Sequence, residues 1–304
     1  MSTRAFITGG SGFFGLNFIL QNISNYNFSV LQNNRKICLP NIELVHMRLD
    51  NLTSIETGLK LHSPDFVIHA AGMTSVDDCE EDPNKANFIN GTLAGNLAKI
   101  THELGIKFIH ISTDHLFDGT SSFLSEEVAT NPINAYGFSK AFGEDLVIKN
   151  NPNSLIVRCN FFGWGPSYKA SFSDFIINNL SSNTKIRLAN NYYYTPSSTF
   201  GLVESINSLI SRDAKGIFNV VGSEKISKYD FGLKVANIFD LPESFIEQVK
   251  YESLDLKTKR PSDMSLSDKK LLNFLGTNIG TIEDGINKLK EQVNSQLYNR
   301  IKTL

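Results

Sequence analysis

Two side chains that together could protonate a carbonyl oxygen, Tyr136 and Lys140, lie four residues apart. Residues at this spacing share one face of a helix, and a helix is predicted over residues 135–149. A tyrosine, with a pKa near 10, releases its proton slowly at neutral pH. An ammonium about 4 Å away would stabilise the phenolate by up to ~4 kcal/mol at an effective dielectric constant of ~20, or about three pK units. The pair therefore predicts a general acid for ketone reduction. The alternative is an ordinary Tyr and Lys on a helix surface.

Hydroxyl groups that could hold the carbonyl oxygen follow a predicted strand over residues 107–112. Ser112 and Thr113 stand at the carboxyl end of this strand, and open α/β sheets bind their ligands at that end. Either hydroxyl could hydrogen-bond the oxygen as charge develops on it. The sequence therefore predicts a catalytic site that joins this strand end to the helix of Tyr136.

A glycine-rich turn near the N-terminus predicts a dinucleotide site. It follows a predicted strand over residues 4–8 and opens a helix predicted from Phe13 to about Asn22. Glycine is needed here because a Cβ would block the tight turn and the approach of backbone N–H groups to a pyrophosphate, which binds at the helix N-terminus. The alternative is a turn that binds no ligand. The predicted cofactor contacts are Gly9, Gly12, Phe13, Phe14 and Gly15.

The segment after the second predicted strand favours NADP(H) over NAD(H), which stays the alternative. No acidic residue occurs between Gly15 and Ile42, whereas NAD sites place a carboxylate about 20 residues beyond the glycines. Asn33 and Arg35 stand at that place, and a guanidinium can bind a 2′-phosphate with two hydrogen bonds. We expect Arg35 to make this contact. The alternative is that Arg35 and its neighbour Lys36 are solvated loop charges.

The elements that must position these residues alternate along the first half of the chain. Short apolar strands and helices predict an α/β fold, a Rossmann-like doubly wound parallel sheet with a smaller C-terminal substrate-binding lobe. The dinucleotide-binding domain is predicted over residues 1–165 and is rejoined by about 195–222. Residues 166–194 and 223–304 are assigned to the substrate-binding lobe, because aromatic-rich loops and less regular helices follow Gly163.

Composition excludes several classes of protein. The 304 residues carry a net charge of −2, and no basic cluster indicates a nucleic-acid partner. The sequence has no apolar run near the ~20 residues that cross a bilayer and no signal-peptide pattern, so we expect a cytoplasmic protein without a membrane partner. Cys38, Cys79 and Cys159 are widely spaced and predict reduced thiols rather than disulfides or a metal site.

Several segments together resemble the extended short-chain dehydrogenase/reductase superfamily, and most closely the dTDP-4-dehydrorhamnose reductase-like sugar-nucleotide reductases. The segments are 8–15, 69–77, 111–114, 117–119, 131–140, 158–163 and 260–261. The resemblance implies NAD(P)H-dependent reduction of the C4 ketone of a nucleotide-linked 4-keto-6-deoxyhexose. It is compatible with a homodimer and with a role in polysaccharide precursor synthesis.

The resemblance also assigns roles to individual residues. The implied catalytic triad is Thr113, Tyr136 and Lys140. The implied cofactor contacts, besides the glycine turn, are Ala70, Ala71, Gly72, Asp50, Asn51, Tyr136 and Lys140. Asn90 would support the active-site lysine. The implied contacts to the nucleotide-sugar are Thr74, Val76, His115, Asn160, Phe161 and Arg260.

Departures from the family pattern leave the substrate and reaction open. The family commonly has a tyrosine at the position of His115 and a tryptophan near Phe161, so the hexose can differ from the rhamnose precursor. His115 can equally be a packed loop histidine. Asp114 is not followed by a second acid, which argues against a 4,6-dehydratase. The remaining alternatives are an epimerase on the same scaffold and a non-catalytic, cofactor-binding regulatory subunit.

Overall fold

The computed structural model describes residues 3–32, 35, 37 and 39–304. Its strands are β1 Thr3–Thr8, β2 Tyr26–Leu31, β3 Ile42–Val45, β4 Phe66–His69, β5 Lys107–Ile111, β6 Leu155–Arg158, β7 Phe161–Phe162, β8 Ile186–Ala189, β9 Tyr193–Tyr194, β10 Ser197–Ser198, β11 Gly216–Asn219, β12 Ile226–Ser227 and β13 Ile246–Val249. Its α-helices are α1 Phe13–Asn22, α2 Leu52–His62, α3 Val76–Glu81, α4 Pro83–Asn87, α5 Leu93–Glu103, α6 Ala135–Asn150, α7 Phe172–Ser181, α8 Thr199–Ser211, α9 Lys228–Ile238, α10 Lys269–Leu275, α11 Ile282–Gln292 and α12 Gln296–Thr303. A π-helical turn covers Phe88–Thr92, and 3-10 turns cover Glu243–Phe245 and Tyr251–Ser253.

The chain divides into two compact units. The first contains Met1–Leu116, Pro132–Arg158 and Asp213–Phe218, and the second contains Phe117–Asn131, Cys159–Arg212 and Asn219–Leu304. Of the predicted return over about 195–222, only Asp213–Phe218 lies in the first unit, and residues 117–131, predicted within the range 1–165, lie in the second. These residues bond within the second unit: Leu124 bridges to Leu266, and the Ser122 hydroxyl donates to Asp263 Oδ2 at 2.6 Å.

A doubly wound sheet forms the first unit, as predicted. In the described part of the chain it has seven strands in the order β11-β6-β5-β4-β1-β2-β3, and the neighbouring pairs from β3 to β6 are parallel. The strand order reverses between β1 and β4, and sheets of this kind bind ligands at the carboxyl ends of the strands where the order reverses. The site residues must therefore be sought after β1, β4 and β5.

The core of the first unit ends in a polar row at that edge of the sheet. Phe6, Val67 and Phe108 are aligned across β1, β4 and β5, fully buried, and belong to one apolar cluster with α2 and α5. Side chains two positions apart on a strand point to the same face. The next residues on this face are Thr8, His69 and His110, and the register aligns them as well.

The helix predicted over residues 83–103 contains a turn that its 3.6-residue periodicity does not reveal. Phe88–Thr92 is π-helical, and the side chain of Asn90 within it is buried. Gly143 of α6 lies so close to this turn that a Cβ would be 2.4 Å from the Asn90 carbonyl oxygen. Such π turns are frequently found at functional sites. The short helix α3, which begins at Val76, was not predicted either.

The second unit is built from strand pairs of two to four residues and from helices. The pairs are β10 with β7 and β13 with β8, both parallel, and β12 with β9, which is antiparallel. Phe231 packs at its centre against the rings of Phe162, Phe172 and Tyr194, with centroids 5.1, 5.7 and 6.0 Å away. Among the described residues, no helix has the length and apolar character that a membrane crossing requires.

Candidate active site

The glycine turn after β1 fits a pyrophosphate. Gly9 has a φ of 73°, and a Cβ there would lie 2.5 Å from the Ala70 carbonyl carbon. A Cβ at Gly15 would lie 2.3 Å from the Gly9 carbonyl oxygen. Gly12 is the N-cap of α1, and within the described residues no side chain caps this N-terminus. The N-terminus of a helix attracts an anion, and Phe13 and Phe14 are the first residues of this helix.

The cofactor residues predicted after β4 adjoin this turn. Ala70 donates its backbone N–H to the Thr8 carbonyl at 3.2 Å, and Ala71 donates to the Thr8 hydroxyl at 3.2 Å. Gly72 follows, and a Cβ on it would lie 2.9 Å from Asn90 Oδ1. The loop after β4 and the loop after β1 therefore form one continuous surface at the edge where the strand order reverses.

The other predicted cofactor residues lie on the surface or outside the described residues. Asn33 is outside them. Arg35 is exposed and follows β2. Asp50 accepts two hydrogen bonds from the Arg48 guanidinium at 3.0 and 2.7 Å, and these hydrogen bonds lower the pKa of its carboxyl group. Asn51 caps α2, because its Oδ1 accepts from the Ser54 N–H at 2.9 Å.

Tyr136 lies in the first turn of α6, which Asn134 caps by accepting from the Gly137 N–H at 2.9 Å. The absence of a side chain at Gly137 lets this end of the helix approach the loop after β5, because a Cβ would be 2.4 Å from the His115 carbonyl oxygen. The Tyr136 ring meets the His115 ring edge-on at 5.4 Å between centroids. The predicted proton donor therefore lies beside the strand end that carries Thr113.

Lys140 lies one turn further along α6 and is 7% exposed. Its Nζ donates to the carbonyl oxygen of Ile111, the last residue of β5, at 2.7 Å, and lies 3.4 Å from His110 Nε2. The ammonium is therefore directed to the carboxyl end of the sheet. It shares one face of α6 with Tyr136, as the four-residue spacing predicts.

A buried turn follows β5. The Thr113 hydroxyl donates to Asp114 Oδ1 at 3.3 Å and accepts from the His115 N–H at 3.3 Å. Thr113 and Asp114 are 5% and 2% exposed. The His115 ring is mostly buried, with Nε2 4.0 Å from Asp114 Oδ1. These contacts fix the hydroxyl of Thr113 at the end of the strand, near the helix that carries Tyr136.

A buried ion pair anchors α6 one turn beyond Lys140. Glu144 accepts from the Arg158 guanidinium at 3.1, 3.1 and 2.7 Å, and from the Ser112 hydroxyl at 2.5 Å. All three residues are at most 6% exposed. The cluster ties α6 to the ends of β5 and β6. It was not predicted, because no pattern within one segment indicates that residues 112, 144 and 158 meet.

Two histidines complete the buried environment of Lys140. His69 and His110 are stacked, with ring centroids 5.5 Å apart and 21° between planes. Burial and the Lys140 charge lower the pKa of His69 to about 3. The same causes, with His69 as a further one, hold the pKa of His110 well below its usual value. Both rings are therefore neutral at physiological pH. The only signal for them in the sequence is a polar residue at the end of each of two apolar strands, and it did not predict a role.

Asn90 holds the loop after β4 against α6. Its Oδ1 accepts from the Met73 N–H at 2.7 Å, and its Nδ2 donates to the Met73 carbonyl at 2.9 Å and to the Ser139 hydroxyl at 2.8 Å. Ser139 donates in turn to the Tyr136 carbonyl at 2.8 Å. Asn90 thus contacts the residue that precedes Lys140 and the loop that follows the cofactor residues.

The predicted substrate residues are divided between the two units. Thr74 is exposed in the first unit, and Val76 is the buried first residue of α3. In the second unit, the Asn160 carbonyl accepts from the Ser197 N–H at 3.0 Å. Phe161 belongs to β7, and the Arg260 backbone bonds to the Tyr251 hydroxyl through both its N–H and its carbonyl.

Comparison with known proteins identifies the family. The RmlD substrate binding domain family matches residues 3–295. The probable low-salt glycan biosynthesis reductase Agl14 of Haloferax volcanii is 29% identical over 293 residues, which are 94% of this chain and 97% of that protein. Methionine adenosyltransferase 2 subunit beta of Xenopus laevis is 27% identical over 277 residues, or 89% and 82% of the two chains.

A solved structure shows the same fold. The dTDP-4-dehydrorhamnose reductase of Bacillus anthracis, in complex with NADP, superimposes with a TM-score of 0.84 over 96% of this chain and all of that one, at 23% identity. The predicted resemblance is thereby confirmed. The family belongs to the NAD(P)-dependent oxidoreductases of the short-chain dehydrogenase/reductase type. The chain belongs to the RmlD substrate-binding domain family and has the Rossmann-like fold of the extended short-chain dehydrogenase/reductases.

Proposed function

We propose that this protein reduces the keto group of a nucleotide-linked 4-keto-6-deoxy sugar with NADPH, and that Tyr136 is the proton donor. The observation that carries the proposal is the position of Lys140. Its ammonium bonds to the carbonyl oxygen of the last residue of β5. Lys140 shares one face of α6 with Tyr136, and both residues lie in the same unit as the glycine turn. This arrangement supports a proton donor and a dinucleotide at one edge of the sheet.

The residues available fit NADPH. The pyrophosphate would be held by the backbone of Gly9, Gly12 and Gly15 and by the N-terminus of α1, with Arg35 as the proposed partner of the 2′-phosphate. When bound, the cofactor supplies a hydride for the carbonyl carbon. Relatives support the same choice, since the Bacillus anthracis structure contains NADP.

Side chains of the protein would protonate and hydrogen-bond the carbonyl oxygen of the sugar. The Tyr136 phenol donates its proton to the carbonyl oxygen, which becomes a hydroxyl group, and the phenolate that remains is stabilised by the Lys140 ammonium. The Thr113 hydroxyl hydrogen-bonds the same oxygen and stabilises the charge that develops there. In the structure the single proton of this hydroxyl points to Asp114 Oδ1 at 3.3 Å, and it would turn from there to the substrate oxygen when the sugar binds.

A second candidate is a non-catalytic regulatory subunit, which the relatives named methionine adenosyltransferase 2 subunit beta favour. Retention of Tyr136, Lys140 and Thr113 favours the enzyme. The cytoplasmic location and the homodimer stay predictions.

The deciding experiment is a turnover assay. Purified protein is incubated with NADPH and a panel of dTDP-, UDP- and GDP-linked 4-keto-6-deoxy sugars, and NADPH consumption and product mass are followed. We expect one NADPH consumed per sugar reduced and a loss of about 10²–10⁴-fold in rate for Tyr136→Phe with cofactor affinity retained. A change of sugar stereochemistry without net NADPH consumption would indicate an epimerase. NADPH binding without turnover of any sugar would favour the subunit.

A further inference from the structure

Three strands of the sheet carry the same pattern at their carboxyl end or one residue before it: Phe or Val, then Ile, then a polar residue. The segments are Phe6-Ile7-Thr8, Val67-Ile68-His69 and Phe108-Ile109-His110. Their register aligns Thr8 with His69 and His69 with His110. The three polar side chains therefore form one row on one face of the sheet, between the apolar core and the loops that follow the strands.

The hydrogen bonds along this row assign the protonation of each ring. The Thr8 hydroxyl accepts from the Ala71 N–H at 3.2 Å, so its own proton can go to His69 Nδ1 at 2.7 Å. His69 then carries its proton on Nε2. His110 Nε2 lies 3.4 Å from Lys140 Nζ and can only accept from an ammonium, so His110 carries its proton on Nδ1.

The remaining nitrogens of the two rings are unsatisfied. His69 Nε2 and His110 Nδ1 are buried and have no hydrogen-bond partner among the described residues. The rings themselves are at most 1% exposed. Folded proteins rarely leave buried donors unpaired, because their loss of solvation is not compensated, and such a group calls for an explanation. Two such nitrogens, on stacked rings next to the proposed catalytic Lys140, indicate that the two histidines have a role at the active site.

We propose that His110 is a positioning residue for Lys140: its neutral imidazole accepts a hydrogen bond from Nζ, and His69, held by Thr8, fixes the His110 ring by stacking. The proposal rests on the proposed reduction. The Ile111 carbonyl oxygen and His110 Nε2 accept two of the three ammonium protons and so hold Nζ at the carboxyl end of β5. Both acceptors are neutral, so neither of them cancels the positive charge that stabilises the phenolate.

The charged groups of this region support a neutral His110. His69 faces it from β4 and Lys140 from α6, and the next charged groups along α6 and β6 are Glu144 and Arg158, which bond to each other. Burial and the Lys140 charge lower the pKa of both imidazoles. A cationic ring at His110 would repel the ammonium, so the row works only while it is neutral.

The test compares two His110 variants and a stability control. His110→Phe keeps the ring and removes the acceptor, whereas His110→Gln places an amide oxygen near the position of Nε2. Thr101→Val is the control, because Thr101 is fully buried on α5 and, among the described residues, its hydroxyl bonds only to that helix and to Asn151. Each variant is assayed for kcat/KM of keto-sugar reduction between pH 5 and 10 and for melting temperature.

We expect His110→Phe to lose about tenfold in kcat/KM and to move the alkaline limb of the pH profile upward by about one unit, since the phenolate is less well stabilised. His110→Gln should restore both to within about twofold, and Thr101→Val should lower the melting temperature without moving the profile. If His110→Phe moves the profile no more than Thr101→Val does, the positioning role is wrong.

A second measurement needs no turnover and so separates this inference from the proposed function. Nitrogen-15 NMR of histidine-labelled wild-type protein should show His110 neutral, with its proton on Nδ1, at pH values where an ordinary histidine is already protonated. Lys140→Met should change that tautomer. A proton on His110 Nε2 in the wild type would overturn the inference whether or not a sugar is reduced. The expected tautomer in a protein that reduces no sugar would instead overturn only the proposed function.

Discussion

Helix α6 carries two buried charged side chains one turn apart, and the protein stabilises them in different ways. Glu144 is matched by an opposite charge, since it forms a bidentate pair with Arg158 and accepts from Ser112. Lys140 instead donates to a backbone carbonyl and faces a neutral imidazole. The first cluster is electrically neutral, and the second keeps a positive charge in a region of low dielectric.

The difference separates a structural use of charge from a chemical one. A buried pair such as that of Glu144 fixes the geometry of three elements, and its field largely cancels at a distance. The field of a buried ammonium bonded to neutral acceptors still acts on its neighbours, and the depressed pKa values of His69 and His110 reflect it. Tyr136 is the neighbour on which the proposed reaction uses that field.

The largest effect expected is the loss of rate in Lys140→Met. Removal of the ammonium should lower kcat by about a thousandfold, because ~4 kcal/mol of phenolate stabilisation is lost. The free energy of unfolding should change little, since an apolar side chain of similar length is easily buried. Lys149→Met, at an exposed position of the same helix, is the matched control for kinetics and urea unfolding. A large loss of stability in Lys140→Met would mean that this lysine, like Glu144, has a structural role.

The second effect is a loss of stability in Glu144→Gln. The change keeps the shape but leaves the Arg158 guanidinium buried without its counter-charge, which should cost about 3 kcal/mol in the free energy of unfolding. Urea unfolding measures it, with the exposed Asp145→Asn as control. Replacement of both partners by apolar residues, Glu144→Leu with Arg158→Met, should recover much of the loss. Unchanged stability in Glu144→Gln would contradict the structural assignment.

A smaller effect distinguishes the exposed Arg35 from the buried Arg158. Arg35→Ala should raise the dissociation constant of NADPH by about 10–150-fold, since a charge-assisted hydrogen bond contributes roughly 1.5–3 kcal/mol, and should leave NADH binding and stability unchanged. Fluorescence titration with both cofactors measures it, and Arg35→Lys should give an intermediate loss. Equal losses for NADPH and NADH would remove Arg35 from the specificity argument.

The smallest effect is a pH dependence of stability that comes from the neutral histidines. The pKa of His69 is about 3 in the folded protein and near 6.5 in the unfolded chain. Between these pH values the unfolded state binds more protons, so the free energy of unfolding falls as the pH falls. At pH 5.5 the loss should be about 1.4 kcal/mol for His69. Unfolding of wild type, His69→Gln and the exposed His46→Gln at pH 7.5 and 5.5 measures it. Identical slopes in wild type and His69→Gln would show that His69 is not held neutral.

The order of the elements in the first unit could be predicted from the sequence because their signals are local. The helix predicted from Phe13 to about Asn22 has these bounds in the structure, and the helix predicted over 135–149 is Ala135–Asn150. Hydrophobic periodicity and glycine spacing are patterns of nearby residues, so they indicate a helix or a turn whatever the rest of the chain does. In the second unit, strands of two residues such as β7 and β10 have no periodicity to detect, so the sequence predicted helices there but not these strands.

The candidate site was predictable to the same degree. The spacing of Tyr136 and Lys140 and the glycine turn are local patterns, and both lie at the strand ends that an α/β fold makes available. The partners of Lys140 and Glu144 are not local. His110 and Arg158 reach α6 only through the register of β5 beside β4 and β6, and no feature of the segments themselves specifies which residues that register aligns.

The amino-acid sequence alone therefore determined the glycine turn and the Tyr–Lys pair, because each is encoded within a few consecutive residues. It also determined the doubly wound fold, because strand and helix patterns alternate along the first half of the chain. Only the tertiary structure decided that two imidazoles lie buried and stacked beside the lysine, and that one carboxylate on the same helix is paired while the ammonium has neutral acceptors. Strand register and burial set those contacts, and with them the charge of each group, because both depend on residues far apart in the chain.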